Sequence, residues 1–177
     1  MLILAVTGMP GAGKEEFLNV AKEEGINSVR MGDVVREHYA LSDSAANDIS
    51  VGVFADSERK RFGKNIWAKR TMEKMSGNMF LVDGCRSMAE IDAFRELGGD
   101  IRIVAIHSPP EIRYDRLVKR GRDDAPKSIS EFEGRDAREI SWGLGEVVAL
   151  SNIMIVNLSS LEDFRISSKK ALRSVIG

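Results

Sequence analysis

The sequence predicts an α/β domain built on a parallel sheet, and three observations predict it. Short, continuously apolar runs alternate with segments of helical spacing. The first of these runs, Leu2–Thr7, passes straight into a glycine-rich loop that opens a helix. The 177 residues show no repeat and no low-complexity linker, so one domain spanning 1–177 is expected.

Leu2–Thr7 lacks the polar alternation of a half-solvated strand and reads as one buried on both faces. Beyond the loop, Phe17, Val20 and Ala21 share one helical face. Val29–Met31 is a shorter strand. From Asp33 to about Gly77 the chain is mostly charged helix, and this composition places it on the rim of the sheet. Met79–Val82 is the next strand, followed by a helical pattern at Ile91, Phe94, Arg95 and Leu97. Ile101–Ile106 is a strand and Ile112, Arg116, Leu117 and Arg120 a helix with its apolar members inward. Gly121–Gly134 is polar, contains Pro126 and reads as a second rim insertion. Ile153–Val156 completes the strands. Parallel strands joined through helices require right-handed crossovers.

Lys and Arg total 26 and Asp and Glu 27, a net charge of -1. This balance excludes a generally basic nucleic-acid binder and leaves anion binding to local arginine clusters. One cysteine, Cys85, and two histidines, His38 and His107, exclude an internal disulfide and a Cys/His metal site, and fit a reducing cytoplasm. Apolar residues begin at once with no basic stretch before them, unlike a signal peptide. No apolar run approaches the roughly 20 residues a membrane span needs.

The loop Gly8–Lys14, with Met9, Pro10, Gly11, Ala12 and Gly13 between, is a phosphate loop that lacks the usual hydroxyl after its lysine. Glycines let backbone N–H groups converge on phosphate oxygens, the helix start adds positive potential, and Lys14 adds a charge. The bland alternative is a glycine-rich turn. Asp83 ends the MFLVD strand; beside the loop it could position Mg²⁺, or it could be a turn residue in Asp-Gly. In MGDVVR, Asp33 could cap a helix with Arg36 solvated, or Arg36 could face a second phosphate group. Arg113, Arg116, Arg120, Arg122, Arg135 and Arg138 surround the second insertion. Dense arginine charge suits phosphoryl transfer, while surface ion pairs with Asp115, Glu133, Asp136 and Glu139 are the plain alternative. His38, His107 and Cys85 are read as incidental, and the Met and Trp residues as core or rim.

Taken in order, these motifs resemble a family. GMPGAGK resembles the G-x-P-G-x-G-K loop of adenylate kinase and its relatives, in which the hydroxyl falls at the position of Glu16. MGDVVR resembles their acceptor-gripping segment through Gly32, Asp33 and Arg36. FLVDGCR resembles the strand ending D-G-x-P-R, with Arg86 one residue closer to Asp83 because the proline is absent. The tail ALSNIMIVNLSSL resembles the last strand of dephospho-CoA kinase. Nearly the whole chain resembles an archaeal family of P-loop kinases related to adenylate kinase or dephospho-CoA kinase. The resemblance implies a three-layer α/β/α fold with a five-stranded parallel sheet, an acceptor-binding helical insertion at 33–77 and a short lid at 119–135. It implies ATP and Mg²⁺ as cofactors, bound by Gly8–Glu15, with Asn157 and Leu158 flanking the base. Lys14, Arg36, Asp83, Arg86, Arg116, Arg120, Arg135 and Arg138 are the expected catalytic residues. Asp83 would serve the metal, with Glu16 reaching it directly or through water, and Glu15 is read as a solvated first-turn residue.

The expected activity is transfer of the γ-phosphate of ATP to a small acceptor, a nucleoside monophosphate, in the cytoplasm and without membrane or nucleic acid. A dephospho-CoA-like hydroxyl is the rival acceptor. An ATP-dependent switch acting on protein or RNA is the rival class; the acidic residues after Lys14 and the basic stretch Arg59–Arg70 leave room for it.

Overall fold

The computed structural model describes residues 1–43, 47, 49–75, 77–122 and 125–176. Five parallel strands form one sheet: β1 (Leu2–Thr7), β2 (Ser28–Arg30), β3 (Met79–Asp83), β4 (Asp100–His107) and β5 (Ile153–Val156). Their order is β2-β3-β1-β4-β5, so β1 is central. Both faces are covered, as the apolar runs require. Ile3 and Ala5 of β1 enter one core cluster, while Leu4 and Val6 enter the other. From Ile3 onward each successive side chain of β1 is therefore buried, which explains the missing polar alternation.

In chain order the helices are α1 (Lys14–Glu23), α2 (Met31–Ala40), α3 (Val51–Phe62), α4 (Ile66–Met72), α5 (Met88–Arg95), α6 (Pro110–Arg120), α7 (Ile129–Ser141), α8 (Leu144–Ala149) and α9 (Leu161–Ile176). Phe17, Val20 and Ala21 of α1 pack with Phe164 and Leu172 of α9 on one face of the sheet. Residues of α2 to α5 and of α8 cover the other. This is a three-layer α/β/α fold with a five-stranded parallel sheet.

Five details differ from the sequence reading. Met31 opens α2 rather than ending β2. The segment 33–77 is not peripheral: Phe54, Trp67 and Ala68 join Ile3, Val82 and Ile91 in one cluster. Charged residues make up 15 of its 45 positions, yet a fully buried indole removes about 200 Å² from water, enough to anchor α3 and α4. Along α6 the buried residues are Arg113 and Leu117, because Asp136 neutralises the arginine. Leu97 lies past the end of α5 and is exposed. The polar stretch from Gly121 is half helix, since Ser128 accepts the Glu131 N–H and starts α7, whose Phe132 is buried.

The topology also positions a crevice. The chain leaves β1 through α1 toward one face and leaves β3 through α5 toward the other. Neighbouring strands that diverge in this way open a crevice at their carboxyl ends, which is where α/β folds bind ligands.

Candidate active site

The loop between β1 and α1 lies at that crevice and is bolted from beneath. A Cβ on Gly8 would stand 2.2 Å from the Ile106 carbonyl oxygen, and Gly8 has φ 142°. On Gly13 it would stand 2.4 Å from Asn157 Nδ2, at φ 113°. No other residue fits either place. The Ala12 carbonyl accepts from Asn157 Nδ2 at 2.9 Å and from Ser108 Oγ at 3.2 Å, and the Pro10 carbonyl accepts from Arg113 at 3.2 Å. With these carbonyls held down, the N–H groups that open α1 ahead of Glu16, whose own N–H donates to the Gly13 carbonyl at 3.1 Å, remain for an anion.

Lys14 Nζ donates to the carbonyls of Gly8 at 2.6 Å and Met9 at 3.2 Å. Burial lowers its pKa, an effect opposed by the carboxylates of Asp83 and Glu139. Asp83 is in register with Val6 on the neighbouring strand. Its Oδ1 is buried without a hydrogen-bond partner. Burial pushes its carboxyl above the ordinary value, against the pull of Lys14, Arg86 and Arg30.

Arg86 lines the same cleft, with its Nε donating to Glu139 Oε2 at 2.6 Å and its Nη1 to the Gly84 carbonyl at 3.1 Å. Burial would lower its pKa, but Glu139 and Glu90 more than offset this and raise it. Arg36 stands in the cleft wall beside Gly32, its guanidinium 2.7 Å from Asp33 Oδ1. Asp33 is thus no cap; it lies inside α2 and pairs one turn ahead.

The arginines around 113–138 separate into two groups. Arg116, Arg120, Arg122 and Arg135 line a cleft of ≈ 420 Å³ together with the loop. Arg113 is buried, paired with Asp136 at 2.5 Å, and supports the loop from below. Arg138 packs against Gly52 of α3. Arg116 donates to Ser108 Oγ at 2.9 Å and to the Asn157 carbonyl at 3.3 Å. Asn157 is itself buried beneath the loop, which its side chain supports; Leu158 is exposed.

The two glutamates after Lys14 are not solvated alike. Glu15 accepts two hydrogen bonds from Arg122, at 2.6 and 2.7 Å, with Arg120 and Arg30 at 3.7 and 3.8 Å. The Arg122 hydrogen bonds, chiefly, hold its carboxyl below the ordinary range. The reading of Glu15 as simply solvated gives way to this cluster. Glu16 is ion-paired with Arg165 and accepts from Asn19 at 3.1 Å; Arg165 also grips Glu23 at 2.6 Å.

Glu139, Arg30, Ser108 and Arg165 were not singled out as site residues in the sequence. Each reaches the loop from a distant element, and only Glu139 carried a signal, as a possible ion-pair partner. Cys85 is fully buried with its thiol pKa pushed up, and His38 packs edge-on against Trp67 at 5.8 Å. Among the described residues no group of three or more His, Cys, Asp or Glu could hold a metal by itself, and no helix is long and apolar enough to cross a membrane.

A phosphate loop at the switch point of this five-stranded parallel sheet defines a P-loop, kinase-like fold. TT1252 of Thermus thermophilus has the same fold, with a TM-score of 0.69 at 16% identity over 99% of this chain and 98% of that one. Shikimate kinase from Acinetobacter baumannii, in complex with shikimate, superposes with a TM-score of 0.62 at 13% identity, covering 99% and 92%. In sequence, the chain is 44% identical over 171 residues to UPF0200 protein TV0279 of Thermoplasma volcanium, 96% of each. It is 41% identical over 169 residues to UPF0200 protein Mbar_A0975 of Methanosarcina barkeri, covering 93% and 91%. The chain belongs to the AAA domain family, whose model matches residues 4–140, and to the UPF0200 family. These likenesses support a P-loop kinase-like family and carry no acceptor.

Proposed function

We propose that the protein transfers the γ-phosphate of ATP to a small acceptor, a nucleoside monophosphate. One observation carries the reading: Lys14 and Asp83, of opposite charge, are both drawn out of water at the carboxyl ends of neighbouring strands, and Asp83 keeps one oxygen without a partner.

That buried, unpartnered oxygen fits Mg²⁺, which Asp83 would hold together with the nucleotide phosphates. Glu16 would join it directly or through water once Arg165 yields its carboxylate. Bound there, the ion would neutralise phosphate charge. The loop N–H groups and Lys14 bind the donor phosphates. Arg116, Arg120 and Arg135, on the wall of the cleft, stabilise the transferring group, where fixed cations act on developing charge. Arg36, which also lines the cleft, faces the acceptor. Arg86 supports the same end of the cleft, restrained by Glu139.

The deciding experiment incubates the protein and Mg²⁺ with γ-labelled ATP and a panel of nucleoside monophosphates and dephospho-CoA. Label on a monophosphate supports the reading. Label on dephospho-CoA alone replaces the acceptor. Phosphate release with no labelled acceptor, stimulated by a protein or an RNA, would replace the kinase with a switch.

A further inference from the structure

Beneath the cleft runs a chain of alternating charge. Arg59 of α3 donates to Glu90 Oε1 at 3.2 Å, and the other oxygen of Glu90 accepts the Arg86 backbone N–H at 2.6 Å. Arg86 then donates from Nε to Glu139 of α7 at 2.6 Å. Arg59, Glu90 and Glu139 are all buried.

Trp142 lies against this chain at the carboxyl end of α7. The Arg59 guanidinium carbon is 4.4 Å from the centre of its ring and that of Arg86 5.6 Å. Nε and Nη1 of Arg59 have no hydrogen-bond partner, so the indole face is the electron-rich surface beside them. The indole N–H donates to Asp56 Oδ1 of α3 at 3.0 Å. One turn earlier on α7, Arg138 lies so close to Gly52 of α3 that a Cβ there would be 3.1 Å from its guanidinium carbon. Helix α3 and helix α7 are thus joined through one indole, and Arg86 is clamped between that indole and a carboxylate. Of the two arginines on the ring, Arg86 lines the cleft.

We propose that Trp142 is a positioning residue that orients Arg86 toward the phosphate loop and ties that orientation to α3. The inference rests on the phosphotransfer reading, in which the segment carrying α3 serves the acceptor. An acceptor that shifts α3 moves Asp56 and Arg59; the indole follows, and Arg86 follows the indole. Helix α7 also carries Arg135 and Glu139, whose charges act on Lys14. Donor and acceptor are thereby coupled through a side chain that need touch neither.

Three variants test this. Trp142→Phe keeps an aromatic face and removes the N–H; Asp56→Ala removes the acceptor oxygen, and Asp56→Asn retains one. With whichever acceptor takes the label, Trp142→Phe and Asp56→Ala should lower kcat roughly tenfold or more, since small misplacements are amplified in the transition state. The KM for ATP should change less than about twofold. Asp56→Asn should keep near-wild-type kcat. Wild-type kcat in Trp142→Phe, or equal losses in Asp56→Asn and Asp56→Ala, overturns the inference. If no acceptor is labelled, the phosphotransfer reading fails and binding alone decides. Trp142 emission, taken as the difference between wild type and Trp142→Phe, should shift with Mg·ADP and fail to shift in Arg86→Gln. Emission unchanged at saturating Mg·ADP overturns the proposal.

Discussion

Arg86 donates its Nε–H to the Glu139 carboxylate across 2.6 Å, joining the turn after β3 to helix α7 at the edge of the cleft. Removing the buried carboxylate leaves the partly buried Arg86 guanidinium without its ion partner. Glu139→Gln should therefore destabilise the protein by about 3 kcal/mol, or about 6–12 °C in Tm. Burial alone would raise the Glu139 carboxyl, but Arg86 outweighs it and the folded carboxyl titrates below its ordinary 4.5. The stabilisation is present above that value and is lost as pH falls through the folded one. Thermal melts across this range should show the wild-type advantage shrinking in acid.

Asp83 has the opposite sign. Its folded pKa is raised above 3.8, so the folded state holds its proton more tightly than the unfolded state. Wild-type stability falls as pH rises through the raised value. Asp83→Asn should melt higher than wild type at neutral pH without metal, by about 2–4 °C for a gain of about 1 kcal/mol. Turnover with Mg²⁺ should collapse, and ATP affinity without Mg²⁺ should hold or rise. If affinity with and without the metal responds alike, Asp83 is a turn residue.

Lys14→Ala should leave the fold intact, because the two hydrogen bonds it removes, to the carbonyls of Gly8 and Met9, are local to the loop. Phosphoryl transfer should fall at least about a hundredfold, the scale of losing a preorganised charge in the transition state. Activity above a tenth of wild type would remove Lys14 from the mechanism.

For Arg36 the test is a comparison of two substrates. Its side chain is solvated and paired only locally, one turn from Asp33, so Arg36→Ala should shift stability by less than about 0.5 kcal/mol. The KM for the acceptor should rise at least about tenfold, with the KM for ATP little changed. Equal rises would place Arg36 elsewhere in the reaction.

Glu16 and Glu15 separate in a magnesium titration of ATP affinity. Glu16 is held by Arg165, so Arg165→Ala should free its carboxylate and steepen the dependence, whereas Glu16→Thr should flatten it. Glu15 occupies Arg122, Arg120 and Arg30. Glu15→Gln should remove a negative charge beside the donor phosphates and raise affinity about equally at every Mg²⁺ concentration. Superimposable curves for wild type, Glu16→Thr and Arg165→Ala would leave the metal to Asp83 alone.

Local pattern was enough to place the sheet, the phosphate loop and Asp83. Leu2–Thr7 and Met79–Val82 declare themselves because a strand buried on both faces is apolar along its length, Ile153–Val156 by its apolar run although Met154 and Val156 are half exposed at the sheet edge, and Gly8 and Gly13 because their positions admit no Cβ. Charge is less legible in the sequence, because whether a charged residue is exposed, paired or buried depends on partners far away in the chain. Arg113 is buried because Asp136 meets it, and Asn157 is a loop support because β5 ends beneath Ala12. Trp67 is core although its neighbours are mostly charged, because α4 packs that one face inward. Arg86 and Glu139 lie on separate elements, and the sequence offers no spacing that joins them. Their pairing, the Trp142 bridge and the division of the arginines between cleft and scaffold exist only once the chain is folded, since a guanidinium chooses its carboxylate by distance in space rather than by separation in sequence.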